Sequence, residues 1–389
     1  MKRRFSLLLV LTVLLLPLVN IMCFASSAAE YTAEIDCTSA ILMEAATGEI
    51  LYEKNADEAL PPASVTKVMT LLIAMESIDG GKISLDDKVT TSERAAAMGG
   101  SQVYLKVGEE MSVEELLKCV IICSANDACV ALAEHIAGSE EAFVGMMNEK
   151  ASALGMENTH FENTNGLDDT VTNHVTSARD IAIMSRELLK HEKILEYSGI
   201  WMDSIRNGEF VLTNTNRLIR FYSGANGLKT GSTSKAGFCI SATAKRNGMQ
   251  LVCVIMGAPT RDTRNDIART LLDFGFASYG LYSYAGGDVG RTAVTGGVSD
   301  TVSGVAAPFS SLLEKGKAEK VETKLSLFES VPAPIKAGDP IGEVIFTLDG
   351  SEIGRSEIVA AANVEKIDFF TYFVRLLHRF VTFCDANAE

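Results

Sequence analysis

Three short strings carry residues whose types and spacing can do acyl-transfer chemistry. They are Ser64-Val65-Thr66-Lys67, Ser124-Ala125-Asn126 and Lys229-Thr230-Gly231, in that order along the chain. Ser64 and Lys67 are three apart, which on a helix places both side chains on one face. A serine hydroxyl is a weak nucleophile until a neighbouring base takes its proton. A lysine amine serves as that base only when burial or a second cation pulls its pKa down, and Lys229 is the candidate for that cation. Ser124 offers a hydroxyl that can pass a proton to a leaving group, and Asn126 an amide that can hold a substrate's backbone. Lys229 and Thr230 can bind a carboxylate, and Gly231 lets a ligand lie flat against a strand edge. The backbone N–H groups of Ser64 and Ser232 can form an oxyanion hole. No histidine is needed for this chemistry.

Each string alone is weak. Ser232-Thr233-Ser234-Lys235 repeats the Ser-x-x-Lys spacing. Ser124 and Asn126 are equally good helix caps, and a lysine beside a turn is ordinarily just solvated. What favours chemistry is the conjunction of all three, in order, each on the element its role demands.

Those elements are legible. Residues 39–45 and 50–53 read as a hairpin across Thr47-Gly48. Pro61 and Pro62 hold the chain extended. Ser64 then opens a helix (Val65, Val68, Met69, Leu71, Leu72, Ile73, Met75) with almost no polar face, which belongs in a core. Ser64 therefore sits at a helix N-terminus, where free N–H groups and the positive end of the dipole are available. Residues 113–123 and 128–137 read as helices, with Ser124-Ala125-Asn126 on the turn between them; 139–154 and 177–189 are further helices, and 163–174 a polar loop. Asn226-Gly227 reads as a turn leading into Lys229. Residues 237–244 and 249–256 form a buried hairpin across Asn247-Gly248, closed by a helix at 263–279. Composition changes near Tyr284. Residues 288–363 hold short alternating runs split by Gly, Pro and Asp, which read as a small all-β domain. In the tail, Ile367, Phe370, Val374, Leu377 and Val381 follow helical spacing opposite Arg375 and Arg379. That pattern fits a helix docked on the β domain, or one lying in a membrane surface with its arginines at the headgroups.

The 389 residues favour two domains, and 47% hydrophobic with 22% charged residues is ordinary for a globular chain. Lys2, Arg3 and Arg4, an apolar run over 7–19 and small residues at 26–29 form the plan of a secretory leader, cleaved after Ala28 or Ala29. Its loss leaves the chain three units more negative than the full-length formal charge of −15. An acidic exported chain is a poor nucleic-acid binder. Of eight cysteines seven remain after the leader, and buried free thiols are the reading, with Cys119 and Cys123 poorly placed for a disulfide. The five histidines are scattered and no Cys/His group has zinc spacing.

The longer segments Pro62-Ala63-Ser64-Val65-Thr66-Lys67-Val68-Met69-Thr70, Asn165-Gly166-Leu167-Asp168 and Asn226-Gly227-Leu228-Lys229-Thr230-Gly231 resemble the low-molecular-mass penicillin-binding proteins, specifically the serine-type D-alanyl-D-alanine carboxypeptidases. The resemblance covers nearly the whole chain after the leader. It implies an α+β fold: a leader at 1–29, a serine β-lactamase/penicillin-binding-protein-like catalytic domain at 30–283 pairing an antiparallel sheet with a helical part, a β sandwich at 284–365, and an amphipathic helix at 366–389. It implies Ser64 as acylated nucleophile, Lys67 as base, Ser124 and Asn126 as proton shuttle and substrate holder, and Lys229 and Thr230 as carboxylate binders. Expected partners are peptidoglycan D-Ala-D-Ala peptides, β-lactams and, through the tail, the outer face of the cytoplasmic membrane, with no cofactor. Ala125 stands where many relatives have glycine. Two alternatives are weaker. A serine β-lactamase would need a Glu-x-x-Leu-Asn string, which is absent. A non-catalytic penicillin-binding wall or sensor protein would not need Ser64, Lys67 and Lys229 intact.

Overall fold

A computed structural model describes residues 31–169 and 171–385, without the side chains of 378–385. The leader at 1–29, and Arg379 and Val381 of the tail's two faces, lie outside that description. Five strands, β1 (Ser39–Glu44), β2 (Ile50–Lys54), β3 (Ala225–Thr233), β4 (Gly237–Arg246) and β5 (Met249–Ala258), form an antiparallel sheet in the order β2-β1-β5-β4-β3. Asn247 and Gly248 both take positive φ, the two-residue geometry that an Asn-Gly hairpin requires. Alternate side chains of β1 and β5 enter two separate cores. Ile41, Met43, Val252 and Val254 face the helical part, while Ala40, Leu42, Leu251 and Cys253 face the other layer. Both faces of the sheet are covered, which is why these strands read as continuous apolar runs.

The helical layer is α1 (Lys67–Asp79), α2 (Val113–Ile122), α3 (Asn126–Ala137), α4 (Glu140–Ala153) and α5 (Ala178–Leu188); α6 (Arg261–Ser278) packs on the opposite face. The caps are local. Ser112 and Glu115 form a reciprocal capping box on α2, and Ser139, Ser177 and Thr260 cap α4, α5 and α6. Residues Lys67 to Met75 of α1 are all buried, as an apolar pattern without a polar stripe requires.

Two local expectations are corrected. Asn226-Gly227 is not a turn but an irregularity inside β3, where Asn226 exchanges side-chain hydrogen bonds with Gln250 and Thr243 and the Gly227 carbonyl accepts from Asn216. Nor does α1 begin at Ser64: Ala63–Thr66 wind as a 3-10 turn, and the α-helix starts at Lys67.

After α6 the chain is all-β. β6 (Tyr279–Tyr284) pairs with β9 (Phe309–Glu314). β7 (Gly287–Thr295), β8 (Thr301–Ala306), β10 (Glu322–Leu327), β11 (Ser330–Pro332), β12 (Pro340–Leu348) and β13 (Ser351–Ala360) form a six-stranded sheet in the order β10-β12-β13-β8-β7-β11. It has its own core around Ile341, Val344, Phe346 and Ile358. The tail is helical as α7 (Phe369–Asp385). Arg375 does not project freely. Its guanidinium donates to Val298 O (2.6 Å) and Asp300 (3.0 Å) of the β domain, leaving Phe369, Phe370, Tyr372, Phe373 and Leu377 exposed. Among the described residues no helix is long and apolar enough to cross a membrane. Cys37, Cys119, Cys123, Cys129, Cys239 and Cys253 are free thiols.

Candidate active site

Ser64 projects from the 3-10 turn ahead of α1. Pro62 fixes the entry, Val65 N–H returns to Pro62 O (3.2 Å), and Ala63 takes φ +48°, tightening the turn beyond an α-helical start. The expected pairing survives the tighter geometry: Lys67 Nζ lies 3.0 Å from Ser64 Oγ. Lys67 is completely buried, and its ammonium also donates to Asn126 Oδ1 (2.6 Å) and Asn165 O (2.8 Å). Burial pushes its pKa down to about 8.

Ser124 lies in the middle of the α2–α3 connection, at φ +65°. Its hydroxyl is buried and, among the described residues, has no hydrogen-bond partner. Asn126 is the first residue of α3, its Nδ2 donating to Gly99 O at 2.7 Å. The cap position belongs to Ala125, with no side-chain cap. Neither polar side chain therefore spends itself on the helix, which removes the capping alternative.

Lys229 sits within β3 and is fully buried, its Nζ donating to Thr230 O at 3.0 Å. The alternative of a solvated lysine is thereby excluded, and burial is the first cause of the low Lys67 pKa. Burial first, and then the charge of Lys67, hold the Lys229 pKa well below its ordinary value. Two adjacent buried ammonium groups repel. Lys67 has three acceptors and Lys229 one carbonyl, so Lys229 is the less well held of the two. Thr230 Oγ1 donates to Thr215 Oγ1 at 2.8 Å. A Cβ on Gly231 would stand 2.7 Å from Ser64 N and 2.9 Å from Val65 N, so this glycine lets β3 press against the nucleophile turn itself. Ser232, one residue on, is exposed.

Hydrogen bonds thus join Ser64, Lys67 and Asn126; close packing adds Gly231, and electrostatic coupling adds Lys229. Ser124, Thr230 and Ser232 make no hydrogen bond to Ser64 or Lys67. Sequence reasoning missed the Asn165 carbonyl, although Asn165-Gly166 was a visible turn signal. That loop is anchored from behind: Thr70 Oγ1 donates to Thr164 O (2.6 Å), and Thr164 Oγ1 to Glu140 (2.9 Å), itself paired with Arg94. It is tied to the end of β3 by Thr233 Oγ1 donating to Asp168 Oδ2 at 2.5 Å.

The family model for D-alanyl-D-alanine carboxypeptidase matches residues 25–260, and that for the penicillin-binding protein 5 C-terminal domain matches residues 283–366. The D-alanyl-D-alanine carboxypeptidase DacF of Bacillus subtilis is 42% identical over 91% of this chain and 93% of its own length. DacC of Escherichia coli is 36% identical over 88% of each. The crystal structure of penicillin-binding protein 5 from Haemophilus influenzae superposes with a TM-score of 0.73 at 31% identity, covering 87% of this chain and all of that one. Penicillin-binding protein D2 of Listeria monocytogenes, solved in its ampicillin-bound form, covers 64% of this chain with a TM-score of 0.58 at 30% identity. The site geometry and these matches agree, and the chain belongs to the D-alanyl-D-alanine carboxypeptidase family.

Proposed function

We propose that Ser64 is the nucleophile and Lys67 the general base of a serine-type D-alanyl-D-alanine carboxypeptidase that removes the terminal D-alanine from peptidoglycan peptides. The observation that carries this reading is the hydrogen bond between half-buried Ser64 and fully buried Lys67, whose other acceptors are fixed. When Lys67 is neutral, Asn126 Oδ1 and Asn165 O hold its two N–H bonds, so its lone pair is left for the Ser64 hydroxyl. Ser64 Oγ attacks the penultimate carbonyl carbon as its proton passes to Lys67 Nζ. The backbone N–H groups of Ser64 and Ser232 take the oxyanion. The C–N bond breaks as Ser124 gives its proton to the departing amine and recovers one from Lys67, which leaves Lys67 neutral; water then attacks the acyl group as Lys67 takes its proton and returns it to Ser64 Oγ.

Asn126 holds the substrate backbone, and Thr230, with Lys229 beneath it, receives the terminal carboxylate. Thr215 lines a groove with Arg217, Arg220 and Arg261, which places positive charge beside Thr230. β-Lactams acylate Ser64 by ring opening. The division into 30–283, 284–365 and 366–389, the export of the chain and the docking of α7 on the outer membrane face belong to the same reading. Support for the last is the aromatic face left exposed while Arg375 is held by the β domain.

Incubation with a D-Ala-D-Ala peptide should release D-alanine. Ser64→Ala should abolish release and stable penicillin labelling together; labelling at another residue would overturn the assignment. A chain ending at residue 365 should remain active and lose membrane sedimentation.

A further inference from the structure

His174 lies outside the three strings, yet it is buried behind the nucleophile turn. Its hydrogen bonds fix its tautomer. Nδ1 accepts the backbone N–H of Glu162 at 3.0 Å, so the ring proton is on Nε2, 2.8 Å from Thr66 Oγ1. Thr66 accepts that proton's hydrogen bond and donates its own to Ala63 O at 2.8 Å. The chain of donors runs one way and ends on the peptide joining Ala63 to Ser64. Ala63 at φ +48° occupies a region that a side chain enters only when its surroundings enforce it. Gly166 closes the other side, where a Cβ would stand 1.8 Å from Ala63 O. Burial pulls the His174 pKa down to about 4, against the raising effect of Glu162, so the ring is neutral near pH 7. His174 also belongs to the segment that delivers the Asn165 carbonyl to Lys67. One stretch of chain therefore orients both nucleophile and base.

We propose that neutral His174 is a positioning residue for acylation, acting through Thr66 to hold the Ala63–Ser64 peptide so that Ser64 Oγ stays within reach of Lys67 Nζ. This rests on the reading of Ser64 as nucleophile.

The test is the time course of acylation of the full chain by a β-lactam, resolved into a non-covalent dissociation constant and an acylation rate constant. Displacing a reacting group by about 1 Å costs on the order of a hundredfold in rate. His174→Ala and Thr66→Val should each slow acylation by about tenfold to a hundredfold while leaving the dissociation constant within about twofold. Thr66→Ser, which keeps the relay hydroxyl, and His174→Gln, whose amide nitrogen can take the place of Nε2, should recover most of the rate. The double variant His174→Ala/Thr66→Val should be no slower than the slower single, because the two act as one unit. Unaltered acylation in folded His174→Ala or in Thr66→Val would overturn the proposal. So would losses that add in the double variant, or a loss confined to the dissociation constant. If His174→Ala does not fold, the contrast between Thr66→Val and Thr66→Ser decides alone. Peptide mapping of the labelled unaltered chain keeps the two readings apart: label away from Ser64 overturns the function and this inference with it, whereas label on Ser64 with unaffected variants overturns the positioning role only.

Discussion

Around the nucleophile, Lys67 of α1, Lys229 of β3, Asn126 of α3 and the loop residues Asn165 and His174 are buried in a layer where most neighbours are aliphatic. In the β domain the interior is Phe346 stacked on Phe309 at 4.3 Å among Ile341, Val344 and Ile358, with Thr292 and Ser356 as its buried polar residues. Both regions bring backbone close at glycines, Gly286 and Gly342 in the β domain as well as Gly166 and Gly231, but the approaches serve different ends. Buried polar groups need partners at fixed places, so the cleft is assembled from close backbone approaches at Gly166 and Gly231 and from a left-handed Ala63. An apolar core asks only for volume and tolerates rearrangement. Close approach sets the position of reacting groups in the cleft and only the packing of strands in the β domain.

Two glycines break this comparison most directly. Gly166→Ala would place a Cβ 1.8 Å from Ala63 O and 2.7 Å from Thr66 Oγ1, at φ +85°. No side-chain movement relieves a clash with backbone, so penicillin acylation should fall below detection. Gly350→Ala in the β domain meets the same kind of backbone, φ +79°, with nothing within 4 Å. It should cost about 1 kcal/mol of stability and leave the acylation rate unchanged. Similar rate losses at the two positions would show that left-handed strain, not proximity to Ser64, matters at Gly166.

Phe346→Ala sharpens the comparison from the other side. Truncating a fully buried phenylalanine should cost about 3–5 kcal/mol, read as an earlier thermal unfolding step. Ser64 acylation below that step should keep its rate, because the β core is separate from both cores of the catalytic sheet. A parallel loss of acylation would mean that the β domain supports the cleft rather than merely following it.

The same contrast decides what the sequence disclosed. The periodic and capped elements were legible, since Ser112, Ser139, Ser177 and the Asn247-Gly248 hairpin carry their geometry in their own residue types. So was the pairing of Ser64 with Lys67, whose spacing implies a shared face before any fold is known, whereas Asn126, 59 residues from Lys67, was legible only as part of a string on a turn. The Asn165 carbonyl was not legible, because a backbone acceptor has no residue signature. His174 was not either, because its role depends on a loop folding back over 108 residues to reach Thr66. Asn226-Gly227 misled for a related reason: as a local pair it favours a turn, but Gln250, Thr243 and Asn216 hold it inside a strand. Which of Lys67 and Lys229 is the better held required counting acceptors around each amine, which only the assembled cleft provides.

The last contrast is a difference in pH dependence of stability between the two regions. The His174 pKa is about 4 when folded against an ordinary 6.5, so the neutral ring contributes its full stability above pH 6.5. As pH falls through that value the unfolded chain binds a proton that the folded chain refuses, and stability is lost until the pH reaches about 4. The gap is worth about 3 kcal/mol. Carboxylates titrate over the same range, including Glu162, held low by the Asn173 backbone N–H, so the wild-type curve alone does not isolate the imidazole. The difference between wild type and His174→Gln does. Wild type should lose more stability than the variant between pH 6.5 and 4.5 in the unfolding step of the catalytic domain. The step assigned to the β domain through Phe346→Ala should show no such difference, because residues 284–365 contain no histidine. Parallel curves for the catalytic step would mean that His174 titrates normally and is not sealed behind the nucleophile turn.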